Sequence, residues 1–247
     1  MMRVAAYQAP LLAAGSMNAL ELIRTRVKWC ERERVAMLCC PEAVLGGLAD
    51  YSPDPAQFAI GAADRRIDAM LAPLASHTVT TIIGFTELAD GRLYNSAAVL
   101  HRGAVVGVYR KVHPAINRSV YEAGCEVPVF LVGGLTFGIV ICNDSNHGEL
   151  ARLMAAKGAT ALFVPTNNGL PPARADAELV TWSRRVDTAT AVENGMWVIR
   201  ADVAGRTDAL VSYGSSGIVD PDGRRRQSAL PLIEDLIVAE IDPVPPM

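Results

Sequence analysis

The stretch Val127-Pro-Val-Phe-Leu-Val-Gly-Gly-Leu-Thr-Phe-Gly-Ile-Val-Ile-Cys142 decides how this chain folds. With Asn143 it forms a run of 17 residues free of charge. A single helix is disfavoured by the central Gly133-Gly134 pair and by the many β-branched residues. The pattern predicts a hairpin, with strands over residues 127–132 and 135–142 joined by a Gly-Gly turn. The run is too short and too broken to span a membrane. It ends on a cysteine, and the polar segment Asn143-Asp-Ser-Asn-His-Gly-Glu149 that follows has helical character. A thiol at a strand-to-helix turn points into a cleft near the positive end of a helix, which lowers its pKa and makes it a nucleophile. Alone this is weak, because free cysteine is among the most buried residue types. Two other strand ends give it weight.

Working outward, apolar periodicity predicts a helix over residues 17–34, with Leu20, Ile23, Val27 and Cys30 as its stripe and Asn18-x-x-Glu21 as a capping box. A buried strand over 35–40 runs into Pro41-Glu42. A second helix covers 64–76, with Pro73 inside it to kink or shorten it. Strands follow at 79–85, 94–101 and 104–110, the last two joined at Arg102-Gly103. Beyond Cys142 come a helix over 148–157, a strand over 159–165 and a long helix over 175–194. That helix is predicted to turn Leu179, Trp182, Val186 and Ala189 inward. Strands at 196–202, 215–219 and 236–241 finish the chain. Strands outnumber helices and several pair as hairpins, so two mixed sheets covered by helices fit better than one parallel doubly wound sheet.

The chain has 247 residues, 51% of them hydrophobic, enough for one large domain over residues 1–247. A net charge of −3 carries no nucleic-acid footprint. The cluster Arg224-Arg225-Arg226 follows Pro221-Asp-Gly223 and reads as a solvated hairpin tip. The five cysteines, Cys30, Cys39, Cys40, Cys125 and Cys142, are odd in number and include an adjacent pair but no C-x-x-C. A disulfide framework or zinc site is therefore not expected, and a reducing cytoplasm is. The opening Met-Met-Arg-Val-Ala-Ala-Tyr-Gln8 reads as a strand and not as a signal peptide.

Three reactive residues stand just past apolar strands: Glu42, Lys111 and Cys142. In layered α/β folds, ligands gather at the carboxyl ends of strands, so an acid, an ammonium and a thiol can converge there. Only a few per cent of a free thiol, with a pKa of about 8.5, is thiolate at neutral pH. A carboxylate in a dry pocket is a stronger base and can take the thiol proton as sulfur attacks. A lysine beside them stabilises the thiolate and then a tetrahedral oxyanion, worth roughly 3–4 kcal/mol per donor.

The segments Pro41-Glu42-Ala43, Tyr109-Arg110-Lys111-Val112-His113 and Gly138-Ile-Val-Ile-Cys142-x-Asp144 resemble those of the carbon–nitrogen hydrolases of the nitrilase superfamily. The opening strand, Tyr94-Asn95-Ser96-Ala97, Pro165-Thr-Asn-Asn168, Glu193-Asn194-Gly195 and the segment from Gly214 to Gly223 continue the resemblance in order. It implies a four-layer α-β-β-α sandwich and a catalytic triad of Glu42, Lys111 and Cys142. Such a triad attacks a small amide, N-carbamoyl compound or nitrile, releases ammonia or an amine, and leaves a thioester for water to cleave. The backbone N–H of Asn143 would share the oxyanion with Lys111, and Asn167 would contact substrate. No metal or organic cofactor is implied. Self-association through helices near the nucleophile, giving a homodimer or higher oligomer, is.

The chain departs from the family pattern in two places. Many members carry a second glutamate before a glycine; if Gly124 is that glycine, Asn117 and Arg118 occupy the position and Glu122 lies too close. Asn117 would offer a hydrogen bond to substrate, and Arg118 a partner for a substrate carboxylate. Nitrilases proper show Cys-Trp-Glu where this chain has Cys142-Asn-Asp144, which argues for amides over nitriles. Asp144 is expected to bond backbone or an arginine, and Asp202 to be structural. A Cys142–His147 dyad is disfavoured, because five positions along a helix turn the imidazole away from the thiol. The four histidines show no metal-ligand spacing. The alternatives are a catalytically weak relative that binds a metabolite or partner protein, and acyl transfer to an amine.

Overall fold

The computed structural model describes residues 1–12, 16, 18–61, 66–115 and 119–243. Strand β1 (Met2–Pro10) is buried on both faces and is followed by helix α1 (Asn18–Arg32). Helix α1 buries Ala19, Ile23, Val27 and Cys30, each three or four residues from the next, so one stripe faces the sheet. Then come β2 (Met37–Cys39), β3 (Ile60–Gly61) and α2 (Arg66–Leu71). Pro73 has the expected effect: α2 passes into a 3₁₀ turn, Ala72–Leu74, instead of running to residue 76. A meander follows, β4 (Thr80–Ala89), β5 (Arg92–His101) and β6 (Ala104–Arg110).

The quoted stretch forms the hairpin β7 (Val129–Val132) and β8 (Leu135–Ile139), with Gly133 and Gly134 both at positive φ in its turn. Helix α3 (Gly148–Ala156), strand β9 (Ala161–Pro165) and helix α4 (Glu178–Asn194) come next. The remaining strands are β10 (Trp197–Ala201), β11 (Val203–Arg206), β12 (Val211–Ser212), β13 (Gly217–Val219), β14 (Arg225–Ser228) and β15 (Asp235–Ile241). Antiparallel β13 and β14 place Arg224 at an exposed hairpin tip, as the sequence predicts, but Arg225 lies half-buried on β14, where its Nη2 donates to the Arg184 carbonyl of α4.

These strands make two mixed sheets. The first runs β12-β11-β1-β2-β4-β5-β6, with β15 also on β1 and β3 on β4; the second runs β14-β13-β10-β9-β8-β7. Alternation along the strands separates the layers. Val4, Ala6, Met37, Cys39, Ile82 and Tyr109 of the first sheet pack on Phe137, Ile139 and Ile141 of the second. The intervening residues Ala5, Tyr7, Leu38 and Ile83 face α1 and α2, while α3 and α4 cover the far side of the second sheet. The result is the expected four-layer α-β-β-α sandwich. Among the described residues, no helix is long and apolar enough to cross a membrane.

Helix α4 corrects the sequence reading. Its buried residues are Ser183, Asp187, Thr190 and Ala191, whereas Trp182 is 56% exposed. Leu179 and Val186 are half-buried and Ala189 is exposed. Arg200, on β10, explains the rotation. Its Nε and Nη2 donate to the Asp187 carboxylate at 2.8 and 2.5 Å, and both side chains are buried. A buried bidentate ion pair left with one partner costs about 3–5 kcal/mol, more than the burial of one apolar side chain at roughly 1.5–3 kcal/mol.

Gly84 of β4 shows how closely the turn at Glu42 rests on the first sheet. A Cβ there would lie 2.3 Å from the Pro41 carbonyl oxygen and 2.5 Å from the Ala43 nitrogen. Substituting Gly84→Ala is expected to destabilise the protein by about 1–3 kcal/mol through overpacking. Urea unfolding reads this directly, and an unchanged midpoint would show that the turn moves aside freely.

Candidate active site

Cys142 lies three residues past the end of β8, on the first position of a 3₁₀ turn, Cys142–Asn146. Its φ of +47° is left-handed, a conformation that costs a residue with a Cβ roughly 1–2 kcal/mol. Asp144 holds that shape. Its buried carboxylate accepts the Ile141 N–H at 3.0 Å, the His113 N–H at 2.7 Å and the Tyr109 hydroxyl at 2.8 Å. Burial raises the Asp144 pKa, and these donors oppose the rise. The expected backbone bonds are present, and among the described residues no arginine is hydrogen-bonded to it. From the other side, the Ser145 hydroxyl donates to the Cys142 carbonyl at 2.7 Å and accepts from Arg200 Nη2 at 3.1 Å.

Glu42 follows β2 and is buried. Its Oε1 accepts from Lys111 Nζ at 2.6 Å and from Asn95 Nδ2 at 2.7 Å, and its Oε2 accepts from the Asn167 N–H at 2.9 Å. Lys111, past β6, is 4% exposed. Its N–H donates to the Asn95 carbonyl and its own carbonyl accepts from the Gly124 N–H, both at 2.8 Å. Gly124 must lack a side chain, since a Cβ would sit 2.4 Å from the Arg110 carbonyl oxygen. Burial disfavours the Lys111 ammonium, but the Glu42 carboxylate, which also accepts its hydrogen bond, outweighs this and holds the pKa above its ordinary value.

The thiol departs from expectation. Burial pushes Cys142 up to about 12, and the Glu42 carboxylate adds to the rise; Lys111 and Arg200 oppose it. The sequence reading sought a helix terminus that would lower the pKa. The structure supplies one short 3₁₀ turn at that place, and the desolvation of sulfur wins.

The other expected residues fall as follows. Asn167 clamps Glu42 through its backbone N–H, and its side chain reaches the Glu42 carbonyl at 3.4 Å and the Gly169 N–H at 3.0 Å. Asn143 Nδ2 donates to the His113 carbonyl at 3.2 Å. Asn117 and Arg118 lie outside the described residues. Asp202 is buried and accepts from Asn168, Val203 and Ser215, the contacts of a structural residue. The His147 ring stacks on His113.

Sequence reasoning passes over Asn95 and Arg200, which tie the site together. Each is a strongly polar side chain buried within a strand, Arg200 among apolar neighbours and Asn95 next to Ser96, and polar residues are depleted at such positions. The Asn95 Oδ1 is buried and has no hydrogen-bond partner among the described residues. Next to Ala43 and Asn167 opens a cleft lined by Leu11, Leu12, Val44, Leu48, Tyr51 and Leu210. Burial raises the Tyr51 pKa, and Arg174 opposes the rise.

Comparison with known proteins places this sandwich in a class of hydrolases. The family model for carbon–nitrogen hydrolases matches residues 3–244, and the chain belongs to this family. It is 31% identical to the "hydrolase in pqqF 5′ region" of Pseudomonas protegens, over 98% of this chain and 83% of that one. It is 30% identical to an (R)-stereoselective amidase of a Pseudomonas species, over 76% of this chain and 66% of that one. The amidase from Nesterenkonia sp. AN1 shares the fold, with a TM-score of 0.82 at 22% identity over 99% of this chain and 94% of that one. Relatives named nitrilase and N-carbamoylputrescine amidase match too, so the names alone do not separate amide from nitrile substrates.

The charges around sulfur make a prediction. Glu42→Gln removes a charge that raises the Cys142 pKa and moves the alkylation profile to lower pH; Lys111→Met removes a cation that lowers it and moves the profile higher. Iodoacetamide labelling of the Cys142 peptide against pH measures both. The opposite order would refute this electrostatic arrangement.

Proposed function

We propose that the protein hydrolyses a non-peptide carbon–nitrogen bond of a small amide or N-carbamoyl compound, through a thioester on Cys142. The observation that carries this reading is the buried Glu42 carboxylate, held by Lys111, Asn95 and the Asn167 N–H, with its charge felt at the Cys142 thiol.

The thiol, pushed up to about 12, is protonated at neutral pH, so attack and deprotonation go together. Sulfur bonds to the carbonyl carbon while its proton passes to Glu42, a step worth roughly 100- to 10,000-fold in rate. The carbonyl oxygen becomes an oxyanion facing the Lys111 ammonium and the Asn143 N–H, at roughly 3–4 kcal/mol per donor. The carbon–nitrogen bond then breaks, and protonated Glu42 gives its proton to the departing nitrogen. Water attacks the thioester with Glu42 again as base, and the acid leaves as the thiol re-forms.

Several features support finer points. Asn143-Asp144 after the nucleophile favours amides over nitriles, in line with the amidase name of one relative. The aliphatic cleft suits a small apolar substituent on the acyl group. Trp182 and Val192, each 56% exposed on α4, support self-association through that face. Five free cysteines support a reducing compartment.

The test is ammonia release from aliphatic amides, N-carbamoyl amines and nitriles by wild type and Cys142→Ala. Release from the first two classes is expected, falling to background in the variant. Release confined to nitriles would overturn the substrate assignment. Silence across the panel from folded protein whose Cys142 resists alkylation would overturn hydrolysis in favour of a binding role.

A further inference from the structure

Two histidines far apart in sequence meet on the surface, each just past a candidate catalytic residue. His113 follows Lys111 and His147 follows Cys142. Their rings stack with centroids 3.6 Å apart and planes 14° from parallel. Glu149, in the first turn of α3, brings Oε1 to 3.6 Å from His113 Nε2 and 3.7 Å from His147 Nδ1. One ligand atom from each residue can be chosen so that all lie within 4.8 Å of one another. Among the described residues, no hydrogen bond engages a ring nitrogen of either histidine.

Three donor groups this close are within reach of a facial ligand set. A first-row ion holds imidazole nitrogen at about 2.0–2.1 Å and carboxylate oxygen at about 2.0–2.2 Å, which sets neighbouring ligands roughly 3–3.5 Å apart. The observed 3.6 and 3.7 Å need to close by only a few tenths of an ångström. In the stack the two ring planes are nearly parallel, so one ion cannot lie in both; binding requires the two partly exposed rings to turn about their side-chain bonds until their nitrogen lone pairs converge. The backbone fixes both: the His113 N–H donates to Asp144 Oδ1 at 2.7 Å and the His147 N–H to the Asp144 carbonyl at 3.0 Å. Partial exposure of all three side chains leaves room for water at the remaining positions. Two imidazoles and a carboxylate suit zinc, nickel, cobalt or copper better than magnesium or calcium, which favour all-oxygen sites.

We propose that His113, His147 and Glu149 bind one divalent transition-metal ion, which fastens the segment after Lys111 to the segment after Cys142. The ion lies outside the reaction, and the inference is independent of the hydrolase reading.

Equilibrium dialysis of untagged protein against zinc and nickel salts tests this, run in Cys142→Ala so that the nearby thiol cannot compete. One ion per chain is expected, with a thermal midpoint that rises as the metal is added, since ligands of the native state stabilise it. His147→Ala is expected to weaken binding at least tenfold, the loss seen when even an outer partner of a metal ligand is removed, and to abolish the thermal rise. Cobalt is expected to give nitrogen–oxygen bands without a thiolate charge-transfer band. Glu149→Gln, on an exposed helix turn, guards against misfolding and is expected to weaken binding as well. No saturable binding, unchanged affinity in both variants, or a thiolate band would overturn the proposal.

Discussion

The arrangement of this molecule depends on keeping one ion pair out of water. Glu42 and Lys111 meet at 2.6 Å with both side chains almost wholly enclosed. Desolvating two charges costs several kcal/mol each, and their attraction offsets it only when the remaining hydrogen-bonding positions are filled. Asn95 Nδ2 and the Asn167 N–H fill them. The pair is assembled across a run of neighbouring strands: Glu42 past β2, the Gly84 backbone of β4 beneath it, Asn95 on β5, and Lys111 past β6. Gly84 and Gly124 are bare because these backbones touch.

A second buried cation couples to the first pair. Besides Asp187, Arg200 donates to Thr166 Oγ1 at 2.7 Å and to Ser145 Oγ at 3.1 Å. The Thr166 carbonyl accepts the Glu42 N–H at 3.3 Å, and Ser145 holds the Cys142 carbonyl. One guanidinium therefore braces the turns of both the carboxylate and the thiol while orienting α4. Its burial among apolar strand neighbours is tolerated because each nitrogen has a partner.

The legible part of the sequence was the part written in local patterns. The Gly-Gly turn, the alternating strands, the stop at Pro73 and the three strand-end residues each follow from neighbours in the chain. The illegible part depends on distant partners. Helix α4 carries an apolar stripe that faces outward, because an arginine on the next strand claims its polar stripe. The Cys142 pKa follows from enclosure by two sheets, which a strand-end motif does not encode. Asn95 and Arg200 show only as polar residues within strands; their roles required knowing what lies across the interface. Asn117 and Arg118, the departure from the family pattern, lie outside the described residues.

The sandwich has a consequence for how such a site changes. The carboxylate and ammonium ride on one sheet and the thiol on the other. The separation of carboxylate and sulfur is thus tied to the spacing of the two sheets, set by Met37, Cys39 and Tyr109 against Phe137 and Ile139. Those side chains act as shims between two plates. Close-packed interiors transmit a single methylene of added or lost volume. The alignment of the reacting groups is therefore adjustable from core positions that never meet a substrate, and drift in the core is drift in the chemistry.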